Sequence, residues 1–93
     1  MTIKSFRHKG LEDFFYDGST RGINPKHAGK LSTRLDRLDA ATGPSDMDLP
    51  GYRLHALKGR MKGRYSIDVS GAWRLTFAFE GEDAIVVDYE QYH

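Results

Sequence analysis

The amino-acid sequence predicts an α+β fold, with a short N-terminal strand, two helices and then an antiparallel meander of about four strands. Apolar residues among the first 41 positions recur every three to four residues, as on one face of a helix. From Tyr52 onward apolar and polar residues alternate, and short glycine-containing turns separate the alternating runs. We therefore expect one sheet with the helices on one face and the other face open.

The first half of the chain contains the predicted helices. Residues 3–6 are the candidate first strand, and the helix after it should end near Asp17 and Gly18. Asn24 before Pro25 is typical of a helix start, and it predicts a second helix over residues 25–41. The apolar stripes of the two helices are Leu11, Phe14 and Phe15, and then Ala28, Leu31, Leu35 and Leu38.

The second half predicts strands that alternate between a covered and an open face. Turns are expected at residues 70–71 and 80–83. Arg74 and Thr76 should point to the open face, because Trp73, Leu75 and Phe77 occupy the covered one. The other apolar residues expected on the covered face are Tyr65, Ile67, Val69, Phe79, Ile85, Val87 and Tyr89.

Length and composition indicate one small domain over residues 1–93. The chain has no cysteine, which excludes disulfides and thiolate metal sites and fits a reducing compartment. No apolar segment has the length of a membrane span or the form of a signal sequence. We expect a cytoplasmic protein with no membrane partner.

Basic and acidic residues are separated along the chain, although the net charge is only +1. Residues 53–64 contain five cations and no acid, whereas residues 75–93 contain five acids and no Lys or Arg. A local basic patch of this kind suits phosphate contact, and the alternative is a solvated basic hairpin. The five cations are Arg53, Lys58, Arg60, Lys62 and Arg64.

The residue types expected on the open face suit metal-free RNA cleavage. The sequence has neither a carboxylate cluster with metal-ligand spacing nor a glycine-rich phosphate loop, so we expect no metal site and no cofactor. In RNA the 2′-hydroxyl can itself attack the phosphate, so the protein must supply only a base, an acid and cations. A bend before Lys58 would bring His55 and Lys58 toward Arg74, and the last strand would bring Tyr92 and His93 to the same face.

The blocks "YRLHALKG", "WRLTFAF" and the terminal "VVDYEQYH" resemble the HigB toxins of the RelE superfamily. The resemblance extends over nearly the whole chain, including "IKSFRHKGLEDFF" and "TRLDRLDAA". It implies a RelE-like fold and a ribosome-dependent mRNA interferase that cuts codons in the A site. It also implies a HigA-type helix-turn-helix antitoxin, with which the toxin represses its own operon, so operator DNA is contacted only through the antitoxin.

The resemblance also implies which residues form the site. The catalytic residues it implies are His55, Lys58, Arg74, Tyr92 and His93. The RNA-binding residues we expect are Arg53, Arg60, Lys62, Arg64 and Gln91. The chain departs from the family at Ser70, where some members have a second arginine, and at Gln91, where some have an aspartate. Arg60 or Arg64 is the candidate replacement for the missing cation.

Several residues also have simpler structural interpretations. Trp73 and Tyr89 are expected to pack in the core, and His8 and His27 to lie at the surface. Arg74 could merely pair with Asp68 or Asp88. Two other functions stay open: a non-catalytic toxin of the same fold, such as the ParE type that inhibits DNA gyrase, and an inactive RNA- or ribosome-binding module.

Overall fold

The structure, a computed structural model, describes residues 2–92 and has the predicted α+β architecture. Its four strands are all antiparallel and lie in the order β1-β2-β3-β4, which confirms the predicted meander. Short 3₁₀ turns lie at Pro25–His27, Pro44–Met47 and Gly59–Met61. The helices and strands are α1 (Lys9–Asp17), α2 (Ala28–Ala40), β1 (His55–Ala56), β2 (Arg64–Ser70), β3 (Trp73–Glu80) and β4 (Asp83–Gln91).

Local signals in the sequence account for the ends of the helices. His8 caps α1, because its Nδ1 accepts a 2.9 Å hydrogen bond from the Leu11 amide. Gly18 ends α1 in the left-handed conformation that glycine adopts without strain. Asn24 accepts a bond from the Lys26 amide, so the predicted second helix begins as the 3₁₀ turn at Pro25 and continues as α2.

The predicted N-terminal strand is not a continuous strand in the structure. Residues 3–6 run parallel to β4 and meet it only at two isolated bridges, Ile3 with Ala84 and Phe6 with Val87. Between the two bridges, Ser5 bonds through its side chain and its carbonyl to β4 instead of forming a regular ladder. The segment therefore covers part of the β4 edge, which would otherwise present unpaired backbone groups.

The sheet has one face in the hydrophobic core and one face that carries polar side chains. Strand residues on the first face join residues of both helices in one buried cluster, which includes Leu11, Leu31, Leu35, Leu38, Ile67, Leu75, Phe77, Val87 and Tyr89. The residues between them in each strand point the other way. This open face, as we call it, carries Ser66, Asp68, Arg74, Thr76, Asp88 and Glu90.

A β-bulge in β4 shifts the register between β3 and β4 by one residue. Thr76 pairs with Asp88, but Ala78 pairs with Ile85, so β4 contains one more residue than β3 across this interval. The expectation that Ile85, Val87 and Tyr89 share a face is therefore wrong. Ile85 lies opposite Ala78 on the open face, because the alternation restarts after the bulge.

The bulge is formed by Val86 and is held from two sides. Val86 has φ 48°, a left-handed conformation that costs a β-branched residue about 1–2 kcal/mol. Its amide donates to Ser5 Oγ at 2.8 Å, and its carbonyl accepts from Arg64 Nη2 at 2.9 Å. These bonds offset the strain, so the N-terminal segment and β2 together stabilise the bulge in β4.

We expect Ser5→Ala to destabilise the protein by about 1–3 kcal/mol, because it leaves the Val86 amide without its acceptor. The measurement is urea unfolding, with Ser32→Ala on the exposed side of α2 as the matched control. The control should change the free energy of unfolding by less than about 0.5 kcal/mol. Equal stability of the two variants would show that the Ser5 bond does not support the bulge.

Candidate active site

Thr76 lies at the centre of the open face in a hydrogen-bonded chain that crosses three strands. Its hydroxyl accepts from Arg64 Nη2 at 2.9 Å and donates to Glu90 Oε2 at 2.9 Å. Thr76 is 0% exposed, so both bonds are shielded from water. The buried Nε of Arg64 has no hydrogen-bond partner among the described residues. Arg64 is therefore fixed by its Nη2 atom, which also bonds the Val86 carbonyl.

Arg74 is held in place by three acceptors on its own side of the sheet. Its Nε lies 2.9 Å from Asp68 Oδ1, in the pairing that the sequence left as one possibility. Its Nη1 donates to the carbonyls of Gly71 at 2.8 Å and Trp73 at 3.2 Å. The Nη2 of Arg74 makes no hydrogen bond to another described residue. One end of the guanidinium is thus fixed while the other can bind an anion.

Tyr92 extends β4 beside these arginines. Its amide donates to the Ala72 carbonyl at 2.8 Å, and its side chain is 36% exposed. Burial and the Glu90 carboxylate raise the pKa of the Tyr92 phenol, whereas the Arg64 and Arg74 guanidiniums oppose that rise. Tyr92 therefore lies within electrostatic reach of both arginines. His93, the other terminal residue expected in the site, lies outside the described residues.

His55 lies on β1, at the opposite edge of the sheet from β4, and Lys58 lies in the connection between β1 and β2. His55 pairs with Ser66, and Ser66 pairs with Thr76, so His55 shares a cross-strand row with Thr76 at about 10 Å. A turn does follow Lys58, where Gly59 has φ 67°. The Lys58 side chain is exposed and makes no hydrogen bond or ion pair with another described residue.

The residues expected to bind RNA are divided among four places. Arg53 is exposed and lies 3.7 Å from the Asp68 carboxylate, and Arg64 belongs to the Thr76 chain. Arg60 and Lys62 are exposed in the turn between β1 and β2. Gln91 pairs with Trp73, so its side chain lies on the opposite face of the sheet from Arg74 and Glu90.

Three carboxylates on the open face belong to the site, although the sequence suggested only that Asp68 or Asp88 could pair with Arg74. Asp68, Asp88 and Glu90 lie among the arginines, because the antiparallel pairing sets Arg74 between Asp68 and Glu90. The separation of charge along the chain therefore disappears in the fold. The alternation of Asp88 and Glu90 with Val87 and Tyr89 was the available signal, because it places both carboxylates on the open face.

A buried aromatic cluster supports the end of β4 from below. Trp73 is half-buried and stacks on Tyr89 at 4.5 Å, as expected for packing residues. The Nδ1 of His27 lies 2.5 Å from the Tyr89 hydroxyl, and His27 is only 7% exposed, so the prediction of a surface position was wrong. His8 is half-buried and meets the edge of Tyr89. The cluster fixes the strand end that carries Tyr92.

The described part of the chain contains neither a metal-binding cluster nor a membrane-spanning helix. Among residues 2–92 there is no group of three or more His, Cys, Asp or Glu side chains that could hold a metal ion. Within the same range, neither helix combines the length and the apolar character that crossing a membrane requires.

Comparisons with known proteins identify related chains. A family model described as the RelE-like toxin of the type II toxin-antitoxin system HigB matches residues 4–93. The protein named Endoribonuclease HigB from Proteus vulgaris is 42% identical over 91 residues, which cover 98% of this chain and 99% of the relative. The protein named Toxin HigB-1 from Vibrio cholerae serotype O1 is 38% identical over 74 residues, which cover 77% of this chain and 78% of the relative.

The buried His27 predicts a pH dependence of stability. Burial, with a smaller effect of Lys30, lowers the pKa of His27 below its ordinary value of 6.5. The unfolded chain therefore takes up a proton first as the pH falls, and the stability contributed by neutral His27 is lost from about pH 6.5 downward through the folded-state pKa. Urea unfolding between about pH 7 and pH 5 should show a shallower loss for His27→Gln than for the wild type.

The exposed Ser32, which does not titrate, provides the control for this measurement. Ser32→Ala should keep the pH dependence of the wild type. Identical pH profiles for His27→Gln and the wild type would mean that His27 titrates alike in the folded and unfolded chains.

Proposed function

The chain belongs to the RelE-like HigB toxins of type II toxin-antitoxin systems, and on that premise we propose that it is an endoribonuclease that cleaves mRNA codons in the ribosomal A site. The observation that carries the proposal is the 42% identity, over nearly the full length of both chains, with a relative named Endoribonuclease HigB. The open face supports it, because fixed guanidiniums, a phenol and an exposed imidazole lie around one shallow surface.

In the proposed reaction the RNA supplies its own nucleophile. The 2′-hydroxyl of one nucleotide attacks the adjacent phosphorus, the bond to the 5′-oxygen breaks, and a 2′,3′-cyclic phosphate and a 5′-hydroxyl result. Arg74 stabilises the charge that develops on the phosphate oxygens through its unengaged Nη2, while Asp68 and two carbonyls keep the guanidinium in position. Lys58, which is unpaired among the described residues, adds a second cation.

Proton transfer requires a base for the 2′-hydroxyl and an acid for the departing oxygen. His55 and His93 are the proposed groups, since imidazole titrates near neutral pH. Tyr92, beside Arg64 and Arg74, stacks on a base or donates to the phosphate. Glu90 acts as a positioning residue, because its carboxylate holds Thr76 and, through Thr76, Arg64.

In the proposed reaction the ribosome aligns the mRNA for cleavage. His55 is about two strand spacings from Thr76, and Lys58 is unconstrained, so the site of the isolated protein is open and incomplete. Asp68, Asp88 and Glu90 also offset part of the positive charge, which weakens capture of free RNA. An mRNA held in the A site would have its phosphate aligned for attack by the 2′-hydroxyl. The ribosome would thus compensate for the open site and for the weak attraction of free RNA.

Membership of a type II system implies an antitoxin partner. We propose that this partner is a HigA-type helix-turn-helix protein that binds near α2 and the loop after it, and that the complex represses the operon. The proposed location of the toxin is the cytoplasm, where ribosomes and mRNA are available.

We expect Arg74→Gln to lower the rate of mRNA cleavage on ribosomes by about 10²–10³-fold, because it removes a preorganised cation from the developing charge. The measurement is 5′-end mapping of mRNA after addition of the purified protein to translating ribosomes. Arg21→Gln, at an exposed position in the turn before Pro25, is the matched control and should cleave as the wild type does. Normal cleavage by a folded Arg74→Gln protein would exclude the proposed role of Arg74.

A single 2′-deoxynucleotide at the scissile position of the A-site codon should abolish cleavage there, because it removes the proposed nucleophile. The same deoxynucleotide one codon downstream should leave cleavage unchanged. Naked mRNA should be cut poorly at the sites that are cut on ribosomes. Efficient cutting of the deoxy-substituted codon would contradict the mechanism, and efficient cutting of naked mRNA would contradict the dependence on ribosomes.

A further inference from the structure

Three arginines from separate parts of the chain converge on Asp68. Arg74 of β3 and Arg53 of the loop before β1 approach its carboxylate, at 2.9 Å and 3.7 Å. Arg34 of α2 donates from Nε to the Asp68 carbonyl at 2.7 Å. We call Arg34, Arg53 and Arg74 the arginine cluster.

The arginine cluster carries more positive charge than Asp68 can neutralise. Asp68 balances one guanidinium, and Glu90, which pairs across from Arg74, offsets part of a second, so the positive charge around Asp68 remains in excess. Asp68 and Arg74 are largely shielded, with side chains 20% and 23% exposed, whereas Arg53 is 72% exposed, so water screens its charge more strongly. Positive charge left in excess at such a place attracts an anion.

The cluster is held in place by specific contacts. The Arg34 guanidinium lies 4.4 Å above the centre of the Tyr52 ring, a cation–π contact that fixes its plane. The Tyr52 carbonyl accepts from the Asp68 amide at 2.7 Å. Arg53 itself has φ 51°, a left-handed conformation that is unfavourable for arginine. Strained backbone conformations of this kind cluster at functional sites.

Each arginine of the cluster keeps donors for a ligand. The Nη atoms of Arg34 and Arg53 and the Nη2 of Arg74 form no hydrogen bond or ion pair with the rest of the described chain. A guanidinium presents its N–H groups in a planar fork that matches two oxygens of a phosphate. The unengaged atoms are therefore of the type that binds a phosphodiester.

The cluster lies where the open face ends and the helical layer begins. β1 pairs only with Tyr65 and Ser66, so the edge of β2 is not covered by β1 at Asp68. Arg34 reaches this edge from α2, where Lys30 and Arg37 are exposed. Cations thus continue from Arg74 around the edge of the sheet onto α2.

We infer that Arg34 and Arg53 bind an RNA backbone phosphate next to the phosphate held by Arg74. The identification of the ligand as RNA rests on the proposed function, whereas the phosphate site rests on the cluster itself. The site extends the RNA path from the cleavage face over the β2 edge to α2. Arg34 was not predicted from the sequence, because a basic residue beside an apolar helix stripe is usually only solvated.

The test uses Arg34→Gln and Arg53→Gln, with Arg7→Gln as the matched control. Arg7 is exposed and bonds through its backbone to Val87, on β4 at the other edge of the sheet. The probe is a short single-stranded 2′-O-methyl oligonucleotide, which lacks the attacking hydroxyl, titrated at several salt concentrations. Each cluster variant should bind several-fold more weakly, and the slope of log K against log salt should decrease by about 0.7 for each phosphate that the variant no longer neutralises.

A second arm identifies the source of the phosphate. Binding of the same variants to ribosomes without mRNA is measured by co-sedimentation. A defect with the oligonucleotide assigns the site to the substrate strand, and a defect with ribosomes alone assigns it to ribosomal RNA. Both results support the site. Since Arg53 is exposed, Arg53→Gln keeps the test valid even if Arg34→Gln impairs folding, which urea unfolding reports.

Cluster variants that match Arg7→Gln in both arms would overturn the inference. The cleavage assay on ribosomes separates this failure from a failure of the proposed function. If the wild type cuts mRNA on ribosomes and the cluster variants bind as the control does, the proposed function stands and the phosphate site is excluded. If the wild type does not cut mRNA on ribosomes, the proposed function is excluded. The salt dependence of oligonucleotide binding still tests the phosphate site in that case.

Discussion

The β-bulge at Val86 determines which side chains of β4 reach the candidate site. Without the extra residue, the pairing that starts at Glu80 and Asp83 would continue in register and place Asp88 opposite Leu75. Every later residue of β4 would then face the wrong side, with Glu90 in the core and Tyr89 on the open face. The bulge corrects this inversion at the cost of a strained valine. Arg64 therefore has two roles, since one nitrogen supports both the bulge and Thr76.

The same pairing places positive and negative side chains next to each other on the open face. Cross-strand pairing sets Arg74 between Asp68 and Glu90, and these carboxylates restrict the arginines in position while they reduce the attraction for phosphate. A site arranged in this way favours a substrate that is presented by another molecule over one captured from solution. That property agrees with the proposed ribosome dependence, and it gives the excess charge at Asp68 a use in holding the RNA.

Much of the fold was predictable because it depends on local patterns. Alternation and turn residues located β2, β3 and β4, and a capping signal located α2. The bulge was not predictable, since Ile85 and Val87 continue a perfect alternation in the sequence and the left-handed Val86 depends on contacts from distant segments. The candidate site likewise has a part that was predictable from local patterns and a part that was not. The end of β4 lies beside the start of β3, which carries Arg74, as expected, whereas the Thr76 chain, the face of Gln91 and the arginine cluster depend on register and on long-range contacts.

The measurement that tests this account most directly is nuclear Overhauser spectroscopy of the protein in solution. The bulge predicts backbone contacts between Thr76 and Asp88 and between Ala78 and Ile85. It also predicts a contact between the Tyr92 amide and Ala72, because this hydrogen bond joins the residue after β4 to the residue before β3. A continuous register, with Thr76 opposite Val87 and the Tyr92 ring in contact with core residues, would contradict the account.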